Sequence, residues 1–163
     1  MDHIDEKLLK ILDKDCHIKT EQLAVMCDIT PDEVKQRIKK LQEDQIILAF
    51  KAVVNWERTD IESVKALIEV RITPQRDKGF DRIAQRIYQF DEVESCYLMS
   101  GAYDLCVVLS GKTLKGVAEF VSSKLSTIDG VAGTATHFIL KKYKEHDVTF
   151  IPREVQKERL IFV

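Results

Sequence analysis

The sequence lacks the features by which several classes of protein are recognised. No apolar run in its 163 residues approaches the roughly 18–20 residues that a membrane-spanning helix needs. The first seven residues contain no basic stretch followed by an apolar one, so no signal peptide is expected. The four cysteines form no CxxC pair and no recognisable disulfide framework. These absences predict a reduced, cytoplasmic protein that does not associate with membranes.

A surplus of positive charge is also missing. The chain has 25 basic and 27 acidic side chains, and the resulting net charge of −2 counts against a nucleic-acid-binding protein. The total hides how the charge is distributed. Residues 1–60 carry ten basic and thirteen acidic side chains, yet Lys35 to Gln42 contains four basic residues and no acidic one. A local positive face is therefore compatible with the negative total.

Signatures of enzymes and metal sites are absent as well. The sequence contains no nucleophile-elbow motif, Walker loop or dinucleotide-binding motif. Its four histidines are scattered, and His17 beside Cys16 lacks further ligands at metal-binding spacing. We expect no catalytic residues, no metal and no cofactor.

Hydrophobic periodicity predicts three helices near the start of the chain. The first covers about residues 4–14, and a shorter one extends to Met26 with Thr20 as its N-cap. The third covers about residues 31–44. Its expected buried stripe consists of Val34, Ile38 and Leu41.

The third helix has a strong start signal and is followed by an apolar segment. Thr30 can cap the helix, Pro31 suits its first position, and Glu33 completes a capping box. The segment Ile46–Val54 is rich in β-branched residues and predicts two short strands with a turn near residues 49–51. Three helices and a strand pair predict a winged helix-turn-helix over residues 1–55.

The face of the third helix opposite its buried stripe is basic and polar. A helix of this kind fits the major groove of DNA, where such side chains reach bases and phosphates. The alternative is an ordinary solvated surface, since Asp32 and Glu33 near the helix start repel phosphate. The residues on this face are Lys35, Gln36, Lys39 and Lys40.

The second half predicts a different architecture after a polar linker at residues 56–63. Residues 64–145 alternate as β-α-β-β-α-β, which is the ferredoxin-like arrangement, so the fold class is α+β. Its helices cover one face of an antiparallel sheet and leave the other for a second subunit. A C-terminal extension, residues 146–163, ends with the apolar residues Leu160–Val163 and is expected to add a strand or to pack on a partner.

One turn in this half can bind a zwitterion. Gly101 is expected to allow a tight turn that most residues cannot make. Asp104, at the exit of the turn, can accept a hydrogen bond from an ammonium group, while the turn amides receive a carboxylate. The alternative is a plain β-hairpin, because Gly and Asp are ordinary turn residues.

The first half resembles the DNA-binding domain of the leucine-responsive regulator and asparagine regulator family (Lrp/AsnC, the feast/famine regulators). Gln45 stands at a position where that family usually has Gly. The residues that carry the resemblance are Leu23-Ala24, Ile29-Thr30-Pro31, Val34, Arg37 to Leu41 and Ile46-Ile47.

The second half is similar to the regulatory domain of the same family, so the resemblance covers about residues 3–145. Cys96 to Leu105 matches a recurrent Ser/Thr-Gly-x-Tyr/Phe-Asp turn, and Leu125 to Val131 matches a second stretch in which Asp129 replaces the usual Pro. The resemblance implies a homodimer formed through the sheet, with further assembly, often to octamers. It also implies an amino-acid effector that touches Met99, Ser100, Gly101, Tyr103 and Asp104, with Thr134 and Thr136 from a neighbouring chain.

We therefore predict a sequence-specific transcription regulator that binds double-stranded DNA and responds to a small effector. Two alternatives remain: a sirohaem-decarboxylase-like enzyme of the same fold, with His137 as a candidate, and an effector-independent architectural regulator. The predicted DNA-binding residues are Thr20, Thr30, Pro31, Lys35, Gln36, Arg37, Lys39, Lys40 and Lys51.

Overall fold

The computed structural model describes residues 1–73 and 79–150, which form two compact units. Unit 1 contains Met1–Val54 together with residues 144–149. Unit 2 contains Asn55–Tyr143 and, among the described residues, Phe150. The apolar end predicted at Leu160–Val163 lies outside the described residues.

Unit 1 contains the three predicted helices. Helix α1 is His3–Lys14, α2 is Thr20–Cys27 and α3 is Pro31–Glu43. The stripes read from the sequence form a shared core, because apolar side chains at helical spacing lie on one face of each helix. The buried members of this core are Leu8, Leu12, Leu23, Ala24, Cys27 and Val34.

The turn between α2 and α3 follows from local chemistry. Asp28 takes the left-handed conformation at φ 57°, which Asp adopts more readily than most residues. The backbone N–H of Ile29 then donates to the carbonyl of Ala24 at 3.1 Å and closes the end of α2. Thr30 caps α3 as predicted, its hydroxyl accepting from the N–H of Glu33 at 3.2 Å. The N-cap of α2, however, is Lys19, and Thr20 is the first helical residue.

The prediction of two strands over Ile46–Val54 is wrong. Residues 45–55 are all described, and none of them is in a strand. The N–H groups of Ile46 and Ile47 both donate to the carbonyl of Leu41, so this backbone closes α3 and does not enter a β-ladder. Leu48 and Phe50 are 84% and 47% exposed, so they bury no apolar face that would fix a strand register.

A short hairpin late in the chain belongs to unit 1. Strands β5, Lys144–Glu145, and β6, Val148–Thr149, pair antiparallel. His146 and Asp147 between them have φ values of 46° and 61°, as expected of a two-residue hairpin turn.

Unit 2 confirms the predicted βαββαβ order. Its elements are β1 Val64–Ile72, α4 Phe80–Tyr88, β2 Val93–Leu98, β3 Leu105–Gly111, α5 Leu114–Phe120 and β4 Val131–Phe138. The strands form a four-stranded antiparallel sheet in the order β2-β3-β1-β4. A π-helical turn, Val121–Leu125, extends α5, and a 3₁₀ turn, Trp56–Arg58, lies in the predicted linker.

Helices α4 and α5 cover one face of this sheet. Alternate residues of β1 (Ala66, Ile68 and Val70) are fully buried against Ile83 and Ile87 of α4 and against α5. The intervening residues of β1 point to the opposite face, because successive side chains of a strand alternate between faces. That opposite face carries Lys65, Leu67, Glu69 and Arg71 from β1, Cys106, Val108 and Ser110 from β3, Ser95 and Tyr97 from β2, and Gly133, Ala135 and His137 from β4.

Candidate DNA interface and effector turn

The outer face of α3 brings four of the predicted DNA-binding residues together. Their spacing of three or four residues places them on one side of the helix. All four are exposed: Lys35, Gln36, Lys39 and Lys40.

Two of these lysines make only loose ion pairs. The Nζ atom of Lys35 lies 3.3 Å from Asp32 Oδ1, and the Nζ atom of Lys39 lies 3.7 Å from Glu43 Oε1. The lysine side chains are 65% and 78% exposed, respectively. Exposed pairs of this kind contribute at most about 1 kcal/mol and are screened by salt. Both ammonium groups can therefore exchange their carboxylate for a phosphate at little cost.

The other residues predicted to bind DNA have different surroundings. Thr30 and Pro31 form the exposed start of α3, where the hydroxyl of Thr30 is already engaged as the cap. Thr20 is half-buried at the start of α2. Lys51 is exposed in the segment after α3 and lies on no strand, so it is not part of a wing.

Arg37 is held by carboxylates. Its Nη1 atom lies 2.8 Å from Asp2 Oδ2 and 2.8 Å from Asp5 Oδ1, and its Nε atom donates to Glu33 Oε1 at 2.9 Å. The side chain is only 22% exposed. Hydrogen bonds to Asp2 and Asp5 raise the pKa of the Arg37 guanidinium. No sequence pattern predicts this cluster, because both aspartates lie more than thirty positions from Arg37.

The turn from Met99 to Asp104 is tied to the end of β1. The N–H of Met99 donates to the carbonyl of Asp104 at 2.8 Å, and the N–H of Asp104 donates to the carbonyl of Val70 at 3.0 Å. The Asp104 carboxylate accepts from the N–H of Ile72 at 2.7 Å. Met99, Ser100 and Gly101 are exposed, whereas Tyr103 and Asp104 are half-buried.

The expectation that Gly101 supplies a conformation closed to other residues is wrong. Among the described glycines, the positive φ is at Gly130, where φ is 96°, and not at Gly101. A Cβ atom built on Gly101 meets no heavy atom within 4 Å. The exposed turn at Gly101 accordingly has room for a side chain.

Thr134 and Thr136 of β4 lie beyond β1 from this turn. Thr134 is opposite Val70, and Val70 pairs on its other side with Leu105, the residue after Asp104. Neighbouring strands lie about 4.8 Å apart, so Thr134 and the exit of the turn are about 10 Å apart within one chain. The Thr134 hydroxyl lies 3.3 Å from the Ser126 hydroxyl, and both threonines are half-buried.

His137 lies on the sheet face opposite the helices. Its Nε2 atom is 3.3 Å from Glu69 Oε1, and its side chain is 57% exposed.

Burial raises the pKa of the Tyr103 hydroxyl, and the charges of Cys106 and Glu69 act in the same direction. Across residues 1–73 and 79–150, no group of three His, Cys, Asp or Glu side chains has an arrangement suited to a metal ion.

No helix in the described part of the chain combines the length and apolar character needed to cross a membrane. The four cysteines are all free thiols: Cys16, Cys27, Cys96 and Cys106.

Comparison with known proteins identifies both units. Residues 1–42 match the AsnC-type helix-turn-helix domain, and residues 65–149 match the Lrp/AsnC ligand binding domain. The chain is 50% identical over 144 residues to the uncharacterised HTH-type transcriptional regulator YugG of Bacillus subtilis (strain 168). That alignment covers 88% of this chain and 86% of the relative.

Two more distant proteins agree. A proline dehydrogenase transcriptional activator of Rhizobium radiobacter is 26% identical, with 89% of this chain and 92% of the relative covered. The structure of the transcriptional regulator NMB0573 in complex with L-Met, from Neisseria meningitidis, has the same fold, with a TM-score of 0.71 at 23% identity. The matched region covers 95% of this chain and 99% of the NMB0573 chain.

A three-helix DNA-binding domain followed by a four-stranded ligand-binding domain defines a DNA-binding transcription regulator. The chain belongs to the Lrp/AsnC family of transcriptional regulators. The enzyme alternative is set aside, as predicted, because the relatives are transcriptional regulators and not enzymes.

Proposed function

We propose that the chain binds double-stranded DNA sequence-specifically through the outer face of α3. The observation that carries this proposal is the set of exposed cationic and amide side chains at Lys35, Gln36, Lys39 and Lys40. The ion pairs of Lys35 and Lys39 are weak. Lysine and glutamine at this spacing reach both phosphates and base edges in a major groove. A DNA target also implies that the protein acts in the cytoplasm.

The experiment that tests this proposal is selection of bound duplexes from random-sequence DNA by the full-length chain, followed by footprinting. Enrichment of one motif with two half-sites about one helical turn apart supports sequence-specific binding by a dimer. Binding without any enriched motif supports the architectural alternative.

We propose that unit 2 binds a small effector, an amino acid, at the turn from Met99 to Asp104. The structure of NMB0573, a regulator of the same fold, is a complex with L-Met, and this supports an amino acid as the class of ligand. The exposed turn offers amide groups to a carboxylate, and the Asp104 oxygen that does not accept from Ile72 can receive an ammonium group. Thermal-shift screening against each of the common amino acids tests this site. A shift with one or a few of them supports it, and no shift with any supports effector-independent regulation.

We propose that the sheet face opposite α4 and α5 pairs with a second copy, and that such dimers assemble further, to octamers. This face combines half-buried Leu67 and Val108 with Tyr97, which is 54% exposed. Sedimentation of the parent chain and of Val108→Glu tests the pairing. We expect the parent to sediment as a dimer or larger assembly and the variant as a monomer. A monomeric parent contradicts the proposal.

A further inference from the structure

Arg37 occupies a position on α3 that differs from that of its basic neighbours. Lys35, Lys39 and Lys40 are exposed, whereas the Arg37 side chain is 22% exposed and makes hydrogen bonds to three carboxylates. Two of these carboxylates come from α1 and its cap, and the third comes from the preceding turn of α3. The guanidinium thus joins two helices.

The two acids on the α1 side belong to a single capping structure. The Asp2 side chain accepts from the N–H groups of Ile4 and Asp5 at 2.9 Å, and the Asp5 side chain accepts from the N–H of Asp2 at 3.0 Å. Their remaining oxygens receive Arg37. The position of the guanidinium is therefore fixed relative to the backbone of the first turn of α1, and not merely to two flexible side chains.

The bonds also use the geometry that distinguishes arginine from lysine. A planar guanidinium can donate to several carboxylates at once in fixed directions, whereas an ammonium group acts as a point charge. Here Nη1 serves both aspartates, and Nε and Nη2 serve Glu33. This arrangement restrains the rotation of α3 about its own axis relative to α1.

The consequence for DNA binding concerns the outer face of α3. Rotation of α3 by one residue position turns its side chains by about 100° around the axis. Even a fraction of that rotation moves the outer lysines away from bases and phosphates. We propose that Arg37 is a positioning residue, which orients the outer face of α3 through Asp2 and Asp5 and does not itself contact DNA. This inference rests on the DNA docking proposed above.

A mutant cycle in which Asp2 and Asp5 are changed together separates positioning from direct contact. The four proteins are the parent chain, Arg37→Gln, a variant with both Asp2→Asn and Asp5→Asn, and the variant that combines all three changes. Each binds a labelled 30-base-pair duplex selected by the parent from random-sequence DNA, and affinity is measured by fluorescence anisotropy. Circular dichroism fixes a temperature at which all four are fully folded, so that a change in affinity does not report unfolding.

For a positioning residue we expect Arg37→Gln to weaken binding about tenfold, and less than twofold when Asp2→Asn and Asp5→Asn are already present. Equal losses in both backgrounds show direct contact with DNA and overturn the inference. An unchanged affinity of folded Arg37→Gln shows a role in stability alone and also overturns it.

Arg37→Lys is a second test variant, which keeps the inference testable if Arg37→Gln folds poorly. Lysine keeps the positive charge but lacks the planar set of donors of a guanidinium. We therefore expect a loss of DNA affinity of about threefold or more, with the salt dependence of binding unchanged. Full affinity in Arg37→Lys is the result of a simple phosphate contact and contradicts positioning. Failure of the parent to select any duplex instead defeats the proposed sequence-specific docking, on which this inference depends.

Discussion

The carboxylate of Asp104 accepts a hydrogen bond of 2.7 Å from the backbone N–H of Ile72, the last residue of β1. The backbone N–H of Asp104 donates to the carbonyl of Val70, which lies two residues before Ile72 on the same strand. One residue therefore fastens the proposed effector turn to the central part of the sheet. It has a structural task in addition to any contact with an ammonium group.

Asp104→Ala is expected to destabilise unit 2. The substitution removes an acceptor from a part-buried amide, and loss of such a charge-assisted bond costs about 1–3 kcal/mol. Asp104→Asn keeps an acceptor oxygen and is expected to lose less. Urea unfolding of both variants measures the difference. Equal stability of Asp104→Ala and the parent contradicts this role, and effector binding is best compared between the parent and Asp104→Asn.

Gly130→Ala, in the turn before β4, is expected to destabilise unit 2 more than the same substitution at a glycine within β4. Gly130 has φ 96°, and an added Cβ lies 2.7 Å from Cδ1 of the buried Ile83. Backbone strain and overpacking together cost about 1–3 kcal/mol or more.

Gly133→Ala is the control for that substitution, because a Cβ at Gly133 meets no atom within 4 Å. We expect a change in stability within about 1 kcal/mol, with either sign. Thermal unfolding of the two variants provides the comparison. A melting temperature of Gly130→Ala equal to that of Gly133→Ala refutes the strain argument.

The acidic cap of α1 predicts a pH dependence at low pH. The pKa of Asp2 is lowered from 3.8 to about 2, first by the N–H of Asp5 and then by Arg37. A carboxylate with a depressed folded pKa contributes stability that is present above pH 3.8 and is lost as pH falls toward 2. In Arg37→Gln we expect the pKa of Asp2 to rise yet stay below 3.8, since the cap remains. An NMR titration of the Asp2 side-chain carbon measures it, and an unchanged value argues against the ion pair.

The fold followed from the sequence where the signals were local. The stripe ending at Leu12, the cap at Thr30 and the alternation along β1 each depend on neighbours a few residues away, and the structure confirms them. The prediction of a wing was wrong. Ile46–Val54 has the composition of a strand but pairs with no strand, and strand pairing depends on the tertiary context. The partners of Arg37 were beyond prediction for a similar reason, since they meet only once α1 and α3 have packed.

The site was predictable to a smaller extent. The exposed face of α3 follows from helical periodicity, because the residues opposite a buried stripe must face solvent. The bond from Ile72 to Asp104 was not visible, because it joins a side chain to a backbone group 32 positions away. The resemblance to the family supplied the turn as a candidate site but not its attachment to β1.

The central claim, that the outer face of α3 binds DNA, is tested most directly by charge reversal on that face. The test variant is Lys39→Glu with Lys40→Glu, and the control is Lys7→Glu with Lys10→Glu, the same charge change on exposed residues of α1.

The measurement is the affinity for the selected duplex as a function of salt concentration. We predict that the α3 variant binds at least about tenfold more weakly. The negative slope of its log affinity against log salt becomes shallower by about two, because two phosphate contacts are lost, while the α1 variant keeps the parent slope. An α3 variant that binds with the affinity and slope of the parent contradicts the account.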